Sequence, residues 1–152
     1  VVQALKQINI KGLKVKIIVG PANPNLRALK EECGNNKNLQ IVANATNMPE
    51  LIAWADIAVS AGGSTCWEMA LLGLPNIIMY FADNQRPIAE KLHEFGAALS
   101  MGWSHQLSIE SIKQYIENIL LSRERRSGYS IKSQDLVDGK GSQRVCCEIL
   151  AD

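Results

Sequence analysis

The chain has 152 residues, of which 47% are hydrophobic and 20% charged, and its formal net charge is +1. This size and composition are typical of a single globular domain, so we expect residues 1–152 to form one domain. No block of about five like charges occurs, which argues against nucleic-acid binding, and no apolar run approaches the roughly 18 residues that a transmembrane segment needs.

The first half of the chain alternates between helical and extended patterns. Apolar residues recur at helical spacing in some segments, and others are short runs of β-branched residues. Asn25 is the candidate N-cap of the second helix and Gly34 its candidate end. The elements predicted here are a helix over 1–8, a strand over 14–20, a helix over 25–33, a strand over 39–43 and a helix over 47–55.

The second half continues the alternation. Gly73 and Gly96 are candidate helix ends, and Ser108 is a candidate N-cap. The basic cluster 123–126 is interpreted as a solvated helix end, and the polar stretch 128–141 as a loop. The predicted elements are a strand over 56–60, a helix over 66–72, a strand over 75–81, a helix over 87–95, a short strand over 97–101, a helix over 108–121 and a helix over 142–150.

Strands separated by helices of about ten residues indicate an α/β fold: a doubly wound parallel sheet with helices on both faces. A helix in such a fold usually follows a strand, yet this chain opens with a helix at Val1. We therefore expect that the first strand is missing and that Val1 is a domain boundary. The strand beside that gap would expose an unpaired edge, so we expect marginal stability or an edge-mediated dimer.

The cysteines and histidines form no recognisable metal or redox motif. We therefore expect reduced thiols in a cytoplasmic protein, with no metal and no cofactor. Neither histidine has a plausible catalytic setting, so we expect no catalytic residue in this chain. The tryptophans follow helical or strand patterning and are expected in the core. The residues in question are Cys33, Cys66, Cys146, Cys147, His93, His105, Trp54, Trp67 and Trp103.

The most informative stretch is 55–85, where a predicted strand runs into a Gly-Gly-Ser-Thr turn that begins a helix. Helix N-termini attract phosphate through unpaired N–H groups and a partial positive charge. Gly62 and Gly63 would let the backbone approach a ligand closely, and Ser64 and Thr65 add hydroxyl donors. The turn also lies beyond the carboxyl end of a strand, where α/β sheets bind ligands. The same tetrapeptide can equally serve only to turn the chain and cap the helix.

Two further groups of polar residues face the same edge of the predicted sheet. Glu68 lies one helical turn after Thr65, where its carboxylate could accept hydrogen bonds from both hydroxyls of a ribose. It could equally be the capping-box partner of Thr65. Asn84 and Gln85 follow the next strand, and their amides could bind sugar hydroxyls or phosphate oxygens. The alternative for these two residues is a loop that caps the helix before Pro87.

Several of these motifs together resemble a known family. The run ADIAVSAGGST, followed by WE, ALLGLP and ADNQ, is similar to the C-terminal domain of GT-B enzymes. The nearest group contains the UDP-sugar hydrolase of pseudaminic acid biosynthesis and spore-coat polysaccharide proteins. More distantly, the chain resembles the UDP-GlcNAc transferase that makes lipid II. The segments NMPEL at 47–51 and LVDGKGSQRV at 136–145 also match motifs of that group, so the resemblance covers nearly the whole chain.

The resemblance implies a UDP-sugar as ligand in a Rossmann-like domain, the C-terminal half of a GT-B fold. It implies that the diphosphate meets Gly62, Gly63, Ser64 and Thr65, and that Glu68 binds the ribose. It also implies that the backbone at Met48 flanks the uracil, and that Asn84 and Gln85 reach the sugar or diphosphate. In the family, a first strand with a Gly-rich phosphate loop and an N-terminal domain precede this region. That domain would be a further partner, and in the hydrolase it carries the catalytic histidine.

Three functions remain open at this level. The DNQ motif favours a nucleotide-sugar hydrolase of surface polysaccharide or nonulosonic acid biosynthesis, which releases UDP. The first alternative is the donor-binding domain of a UDP-sugar glycosyltransferase, and the second is a non-catalytic nucleotide-sugar-binding module. A dinucleotide-binding oxidoreductase is disfavoured, because the sequence has no G-x-G-x-x-G fingerprint with a downstream acid.

Overall fold

The computed structural model describes residues 1–151. These residues form five strands and eight α-helices, and every one of them except the helix Arg123–Leu136 corresponds to an element that the sequence predicts. The elements are α1 (Val2–Gln7), β1 (Val15–Val19), α2 (Leu26–Cys33), β2 (Leu39–Ala43), α3 (Met48–Trp54), β3 (Ala58–Ala61), α4 (Thr65–Leu71), β4 (Asn76–Tyr80), α5 (Arg86–Glu94), β5 (Ala98–Trp103), α6 (Ile109–Leu120), α7 (Arg123–Leu136) and α8 (Gly141–Leu150).

All strand pairs are parallel, but the strands form two groups rather than one continuous sheet. Strand β1 pairs with β2 from Val15 opposite Leu39 to Val19 opposite Ala43. Strands β3, β4 and β5 form a second sheet with β4 in the centre. No hydrogen bond within residues 1–151 joins β1 to β3. Each of these two strands therefore has one edge without a neighbour.

Helices cover both faces of the larger sheet, which confirms the predicted doubly wound architecture. Every residue of β4 is buried, and its side chains alternate between two hydrophobic clusters. Ile78 and Tyr80 pack on one face with residues of α3, α4 and α5. Ile77 and Met79 pack on the other face with α1 and α6. A central parallel strand is apolar throughout because both of its faces are buried.

The predicted helix signals are confirmed where local chemistry sets them. Ser108 accepts a hydrogen bond from the backbone of Ser111 and takes part in a capping box at the start of α6. Gly73 ends the segment after α4 with φ of +69°, and Gly96 follows α5 with φ of +68°. Side chains other than glycine rarely adopt this left-handed conformation, so these residues stop a helix reliably.

The polar stretch after residue 122 was predicted as a helix end and a loop, and that prediction is wrong. Residues 123–136 form α7, which packs against α4. Its residues Ser130 and Gln134 lie over Gly73, where an added Cβ would approach their side chains to about 2.8 Å. The basic cluster is not wholly solvated, because the half-buried Arg126 donates to backbone carbonyls at the end of α6. Tertiary packing here outweighs a helix propensity weakened by Gly128.

The expectation that the tryptophans lie in the core is wrong for two of the three. Trp54 and Trp67 are 45% and 41% exposed, respectively. The ammonium group of Lys16 lies 4.1 Å from the centre of a Trp54 ring, in a cation–π arrangement. Trp103 does pack against the core, with its ring centroid 4.9 Å from that of Tyr80 in an edge-on geometry.

Candidate functional site

The turn from β3 to α4 lies at the carboxyl edge of the larger sheet, as the sequence predicts. The amide of Gly63 donates to the carbonyl of Ala61 at 2.8 Å, and the carbonyl of Gly63 accepts from Cys66 at 3.1 Å. Nothing lies within 4 Å of the position that a Cβ on Gly63 would occupy. Gly63 therefore faces open space in a tightly hydrogen-bonded turn, where a ligand can approach the backbone.

Gly62 is held against the loop that follows β4. A Cβ at Gly62 would overlap the backbone carbonyl oxygen of Gln85 and would lie 3.2 Å from both its carbonyl carbon and its Cβ. Only glycine permits this approach between two backbones. The structure thus brings together two segments that the sequence assigned to one site, and it gives Gly62 a steric role that composition does not reveal.

A small polar network lies beneath the turn. The hydroxyl of Ser60 donates to the Asn76 carbonyl oxygen at 3.0 Å, and the Asn76 amide contacts the Cys66 sulfur at 3.5 Å. The Cys66 thiol in turn donates to the carbonyl of Ala61 at 3.3 Å. Burial raises the pKa of the Cys66 thiol, so it stays protonated and remains a donor. The network ties β3, α4 and β4 together under the candidate site.

Sequence reasoning did not assign Ser60, Asn76 or Cys66 to the site. A usable signal was present, because Asn76 is the one polar residue in the otherwise apolar strand β4 and is only 4% exposed. Buried amides are almost always hydrogen-bonded, so such a residue indicates a fixed contact nearby. Its partners come from distant parts of the chain, and only the fold identifies them.

The polar side chains at the start of α4 have no internal hydrogen-bond partner. Ser64 is the N-cap but makes no capping hydrogen bond through its side chain, and Thr65 is the first helical residue. Glu68 lies in the first helical turn and is exposed, and its carboxylate makes no hydrogen bond or ion pair with residues 1–151. The alternative that Glu68 forms a capping box with Thr65 is therefore wrong. Its carboxylate is available to a ligand.

Residues 83–85 form a short 3-10 turn that leads directly into α5. Asn84 is exposed on this turn. The side-chain carbonyl of Gln85 accepts a hydrogen bond from the Phe81 amide at 3.0 Å, which closes the loop on itself. The two amides predicted to act together therefore differ, because Asn84 faces solvent while the Gln85 oxygen is already engaged by the backbone.

Met48 begins α3 after β2 and packs against the first hydrophobic cluster. It lines a groove of about 910 Å³ between β1 and β3, and Gly63 and Thr65 line the same groove. Three of the eight predicted residues thus share this groove, and Gly62 contacts Gln85 beside it. Ser64, Glu68 and Asn84 are exposed and do not line the groove.

Among residues 1–151, no cluster of three or more His, Cys, Asp or Glu side chains is arranged to hold a metal ion. All four cysteines are free thiols. None of the helices formed by these residues is both long and apolar enough to cross a membrane. His93 lies near the carbonyl of Ala98 at 3.4 Å, and His105 lies in a 3-10 turn beside Trp103. Neither histidine lines the groove beside the turn.

The fold is that of GT-B glycosyltransferases. It matches the crystal structure of Acinetobacter baumannii MurG with a TM-score of 0.80 and 21% identity, over 99% of this chain and 44% of that one. It matches the spinosyn rhamnosyltransferase SpnG with a TM-score of 0.78 and 20% identity, over 99% of this chain and 39% of that one. The protein is therefore a Rossmann-like domain of the GT-B class.

The sequence narrows this class to a family. Residues 1–143 match the glycosyltransferase family 28 C-terminal domain, and the chain belongs to that family. It is 27% identical over 137 residues to the spore coat polysaccharide biosynthesis protein SpsG of Bacillus subtilis. It is 30% identical over 141 residues to the UDP-N-acetylglucosamine--N-acetylmuramyl-(pentapeptide) pyrophosphoryl-undecaprenol N-acetylglucosamine transferase of Bacillus cytotoxicus.

The chain covers only part of these relatives. The matched segments are 90% and 89% of this chain, but 40% of SpsG and 38% of the transferase. The resemblance to spore-coat proteins and to the lipid II-forming transferase is confirmed. The expected hydrolase activity gains no support from these relatives, because those whose names state an activity are transferases.

Proposed function

We propose that this chain is the donor-nucleotide-binding domain of a UDP-sugar-dependent glycosyltransferase that builds a cell-surface polysaccharide. Membership of the glycosyltransferase family and the similarity to an N-acetylglucosamine transferase support the reaction class. The similarity to SpsG supports a role in polysaccharide synthesis. The sequence alone favoured a nucleotide-sugar hydrolase. This proposal adopts the glycosyltransferase alternative instead.

The observation that carries the proposal is the open, glycine-lined turn between β3 and α4. A diphosphate that approaches over Gly63 would meet the Ser64 and Thr65 hydroxyls, with the positive end of the α4 dipole behind them. The backbone that carries these groups is held by the hydrogen bonds of the turn before any ligand binds. They would therefore stabilise the negative charge that develops on UDP as it leaves the sugar.

The remaining predicted residues take distinct places in this proposal. Glu68 would accept hydrogen bonds from the ribose, because its carboxylate has no internal partner. The backbone at Met48 would flank the uracil from the groove side, and Asn84 would reach the sugar from its exposed turn. Gln85 is better placed to hold the two loops together than to bind sugar, since its side-chain oxygen already accepts from Phe81.

Titration calorimetry on the protein with UDP, TDP, AMP and NAD tests the binding proposal. TDP is included because one structural neighbour is a rhamnosyltransferase complexed with thymidine diphosphate. We expect weak binding of UDP, tighter than that of AMP or NAD. Equal affinity for all four nucleotides, or no UDP binding at millimolar concentration, would contradict the site.

A second experiment distinguishes transfer from hydrolysis. The full-length protein is incubated with UDP-N-acetylglucosamine, with and without a lipid-linked saccharide acceptor, and released UDP is measured. A transferase releases UDP in step with acceptor consumption, whereas a hydrolase releases UDP and free sugar without acceptor. Rapid acceptor-independent release would return the function to the hydrolase class.

A further inference from the structure

Strand β5 contains a β-bulge just before its carboxyl end. Its pairing with β4 runs in simple register as far as Ser100, which lies opposite Ile78. The next residue of β4, Met79, pairs with Gly102, so Met101 is an extra residue in β5. Gly102 has φ of +86°, a left-handed conformation that glycine adopts without strain. Bulges of this kind redirect the side chains that follow them.

The bulge changes the face of the sheet on which Trp103 lies. Leu99 and Met101 pack on the face that α1 and α6 cover, and uninterrupted alternation would direct Trp103 to the same face. One extra residue reverses that alternation. Trp103 instead packs on the opposite face with Tyr80, in the cluster that includes residues of α3, α4 and α5. It therefore shares a face with the two helices, α4 and α5, whose first turns border the candidate site.

Trp103 and His105 form an aromatic surface at the carboxyl edge of the sheet. The buried Tyr80 supports the Trp103 ring, since their planes meet at 74°. The exposed His105 ring lies 5.3 Å from the Trp103 ring and is tilted by 43° to it. The Trp103 indole N–H makes no hydrogen bond with residues 1–151, among which no buried side-chain nitrogen or oxygen is unpartnered, so it is open to solvent. The surface thus combines a supported ring face with free polar atoms.

This aromatic surface is close to the turn that would hold the diphosphate. Ala61 pairs with Met79, and Met79 pairs with Gly102, so the carboxyl ends of β3, β4 and β5 are aligned. Neighbouring strands lie about 4.8 Å apart, which places the end of β5 roughly 10 Å from the turn after β3. The exposed Asn84 lies on the turn that follows the strand between them. A diphosphate that carries a sugar ring can reach across such a distance.

We propose that the Trp103–His105 surface is a carbohydrate subsite, on which a pyranose ring of the substrate stacks. This inference rests on the proposed function and names the element that holds the sugar. The C–H bonds on one face of a pyranose are attracted to the electron-rich face of an indole ring. The hydroxyl groups around the ring can accept from the Trp103 N–H and bond to the His105 imidazole. The ring belongs to the donor sugar or to an acceptor saccharide, which share this chemistry.

Titration calorimetry of the protein with UDP, UDP-N-acetylglucosamine and N,N′-diacetylchitobiose tests the subsite. A stacked ring should contribute about three- to tenfold in affinity, either to the UDP-sugar relative to UDP or to the disaccharide. Trp103→Leu keeps apolar volume against Tyr80 but lacks the aromatic face, so it should abolish this contribution and leave the affinity for UDP unchanged. Trp103→Phe should retain most of it. Phe95→Leu is the matched control, because this exposed aromatic residue precedes β5 at the opposite edge of the sheet.

NMR spectroscopy identifies which sugar lies on the surface. The indole N–H resonance of Trp103 is assigned by its loss in Trp103→Phe. A shift caused by UDP-N-acetylglucosamine but not by UDP places the donor sugar there, whereas a shift caused by the disaccharide in the presence of UDP places the acceptor there. Either result supports the subsite. The measurement is made on the unaltered protein, so it decides the question even if Trp103→Leu does not fold.

Two results overturn the subsite and leave the proposed function standing. The first is an indole resonance that neither sugar shifts while UDP binds, which would make the aromatic pair and the bulge purely structural features of an edge strand. The second is a loss of UDP affinity in Trp103→Leu, which would place the nucleotide on this surface. Failure of UDP itself to bind the unaltered protein is a different outcome. It would contradict the proposed function and this inference with it.

Discussion

Gly62 and Gly63 are neighbours in sequence, yet the structure gives them different tasks. Gly62 is buried against the backbone of Gln85, whereas Gly63 faces open space. One glycine is required for the two loops to meet, and the other leaves room for a ligand. An alanine substitution at each position therefore tests a different property: the contact between the two loops at Gly62, and the open space at Gly63.

Gly62→Ala should destabilise the protein by about 1–3 kcal/mol, the usual cost of forcing extra atoms into a packed position. It should also weaken UDP binding, because the turn must move away from Gln85. Gly63→Ala adds a methyl group where nothing lies within 4 Å, so its stability should change by less than about 0.5 kcal/mol. Urea denaturation of both variants measures the difference. Equal destabilisation by the two substitutions would show that the contact with Gln85 is not decisive.

Glu68→Ala should weaken UDP binding by about tenfold or more, while the melting temperature stays near that of the parent protein. The reason is that a hydrogen bond to a charged group contributes roughly 1.5–3 kcal/mol, whereas the Glu68 carboxylate makes no hydrogen bond or ion pair within residues 1–151 that the fold would lose. Glu94→Ala is the control, since this exposed carboxylate lies at the far end of α5. Calorimetry that gives identical UDP affinities for both variants would remove Glu68 from the site.

At the scale of elements, the C-terminal helices are held by a few specific polar contacts. Helix α6 ends at Leu120, and Arg126 of α7 donates to the carbonyls of Ile119 and Leu120. A guanidinium at this end satisfies carbonyls that have no partner within the helix, and it also complements the helix dipole. The Arg126 side chain thus helps to hold the turn between α6 and α7, together with the N-cap Ser122.

Arg126→Ala should lower the free energy of unfolding by about 1 kcal/mol, through loss of these hydrogen bonds and of the favourable charge at the helix end. Arg125→Ala provides a control of the same chemistry, because Arg125 is exposed and its side chain makes no hydrogen bond with residues 1–151. Chemical denaturation distinguishes the two. A loss of stability in Arg125→Ala as large as that in Arg126→Ala would indicate a general charge effect.

The start of α8 should be sensitive to acid. Hydrogen bonds from the Arg144 guanidinium and the Lys140 amide lower the pKa of Asp138 to about 2, from its ordinary value of 3.8. A lowered pKa in the folded state means that the contribution is fully present above the ordinary value and is lost as pH falls towards about 2. Amide chemical shifts of 141–150 should therefore show fraying between those values. Asp138→Asn should abolish that pH dependence, and its persistence would assign it elsewhere.

At the scale of the whole molecule, the sheet is divided into two parts and each part leaves an edge open to the groove. Proteins normally protect such edges, because unpaired strands recruit other chains. In residues 1–151 the helices cover the faces of the groove, but no element pairs with β1 or β3 inside it. Stability and oligomeric state should therefore respond to anything that fills the groove.

Residues 1–152 expressed alone should melt at a lower temperature than a version extended ahead of Val1, and should associate as concentration rises. Unpaired edges and apolar walls favour pairing between copies when no internal strand is present. Size-exclusion chromatography over a range of concentrations, together with thermal melting of both versions, provides the measurement. A short version that stays strictly monomeric and melts at the same temperature as the longer one would contradict this expectation.

Much of this architecture was determined by the sequence itself. The alternation of β-branched runs with amphipathic helices indicated a doubly wound parallel fold, because burial on both faces of a strand and on one face of a helix leaves distinct periodicities. Local signals such as Ser108 and Gly73 also predicted helix limits correctly. The sequence also predicted correctly that the turn 62–65 lies at the carboxyl end of β3, because the strand, the glycines and the hydroxyl residues follow one another directly in the chain.

Only the tertiary structure decided the features that depend on contacts between distant segments. The helix at 123–136 packs against α4, although its own polar sequence predicted a helix end and a loop. The steric need for Gly62 comes from Gln85, and the network beneath the turn joins Ser60 to Asn76 across two strands. The open edges of β1 and β3 on either side of the groove are likewise visible only in the sheet. Pairing partners are set by three-dimensional packing, which periodicity along one chain does not encode.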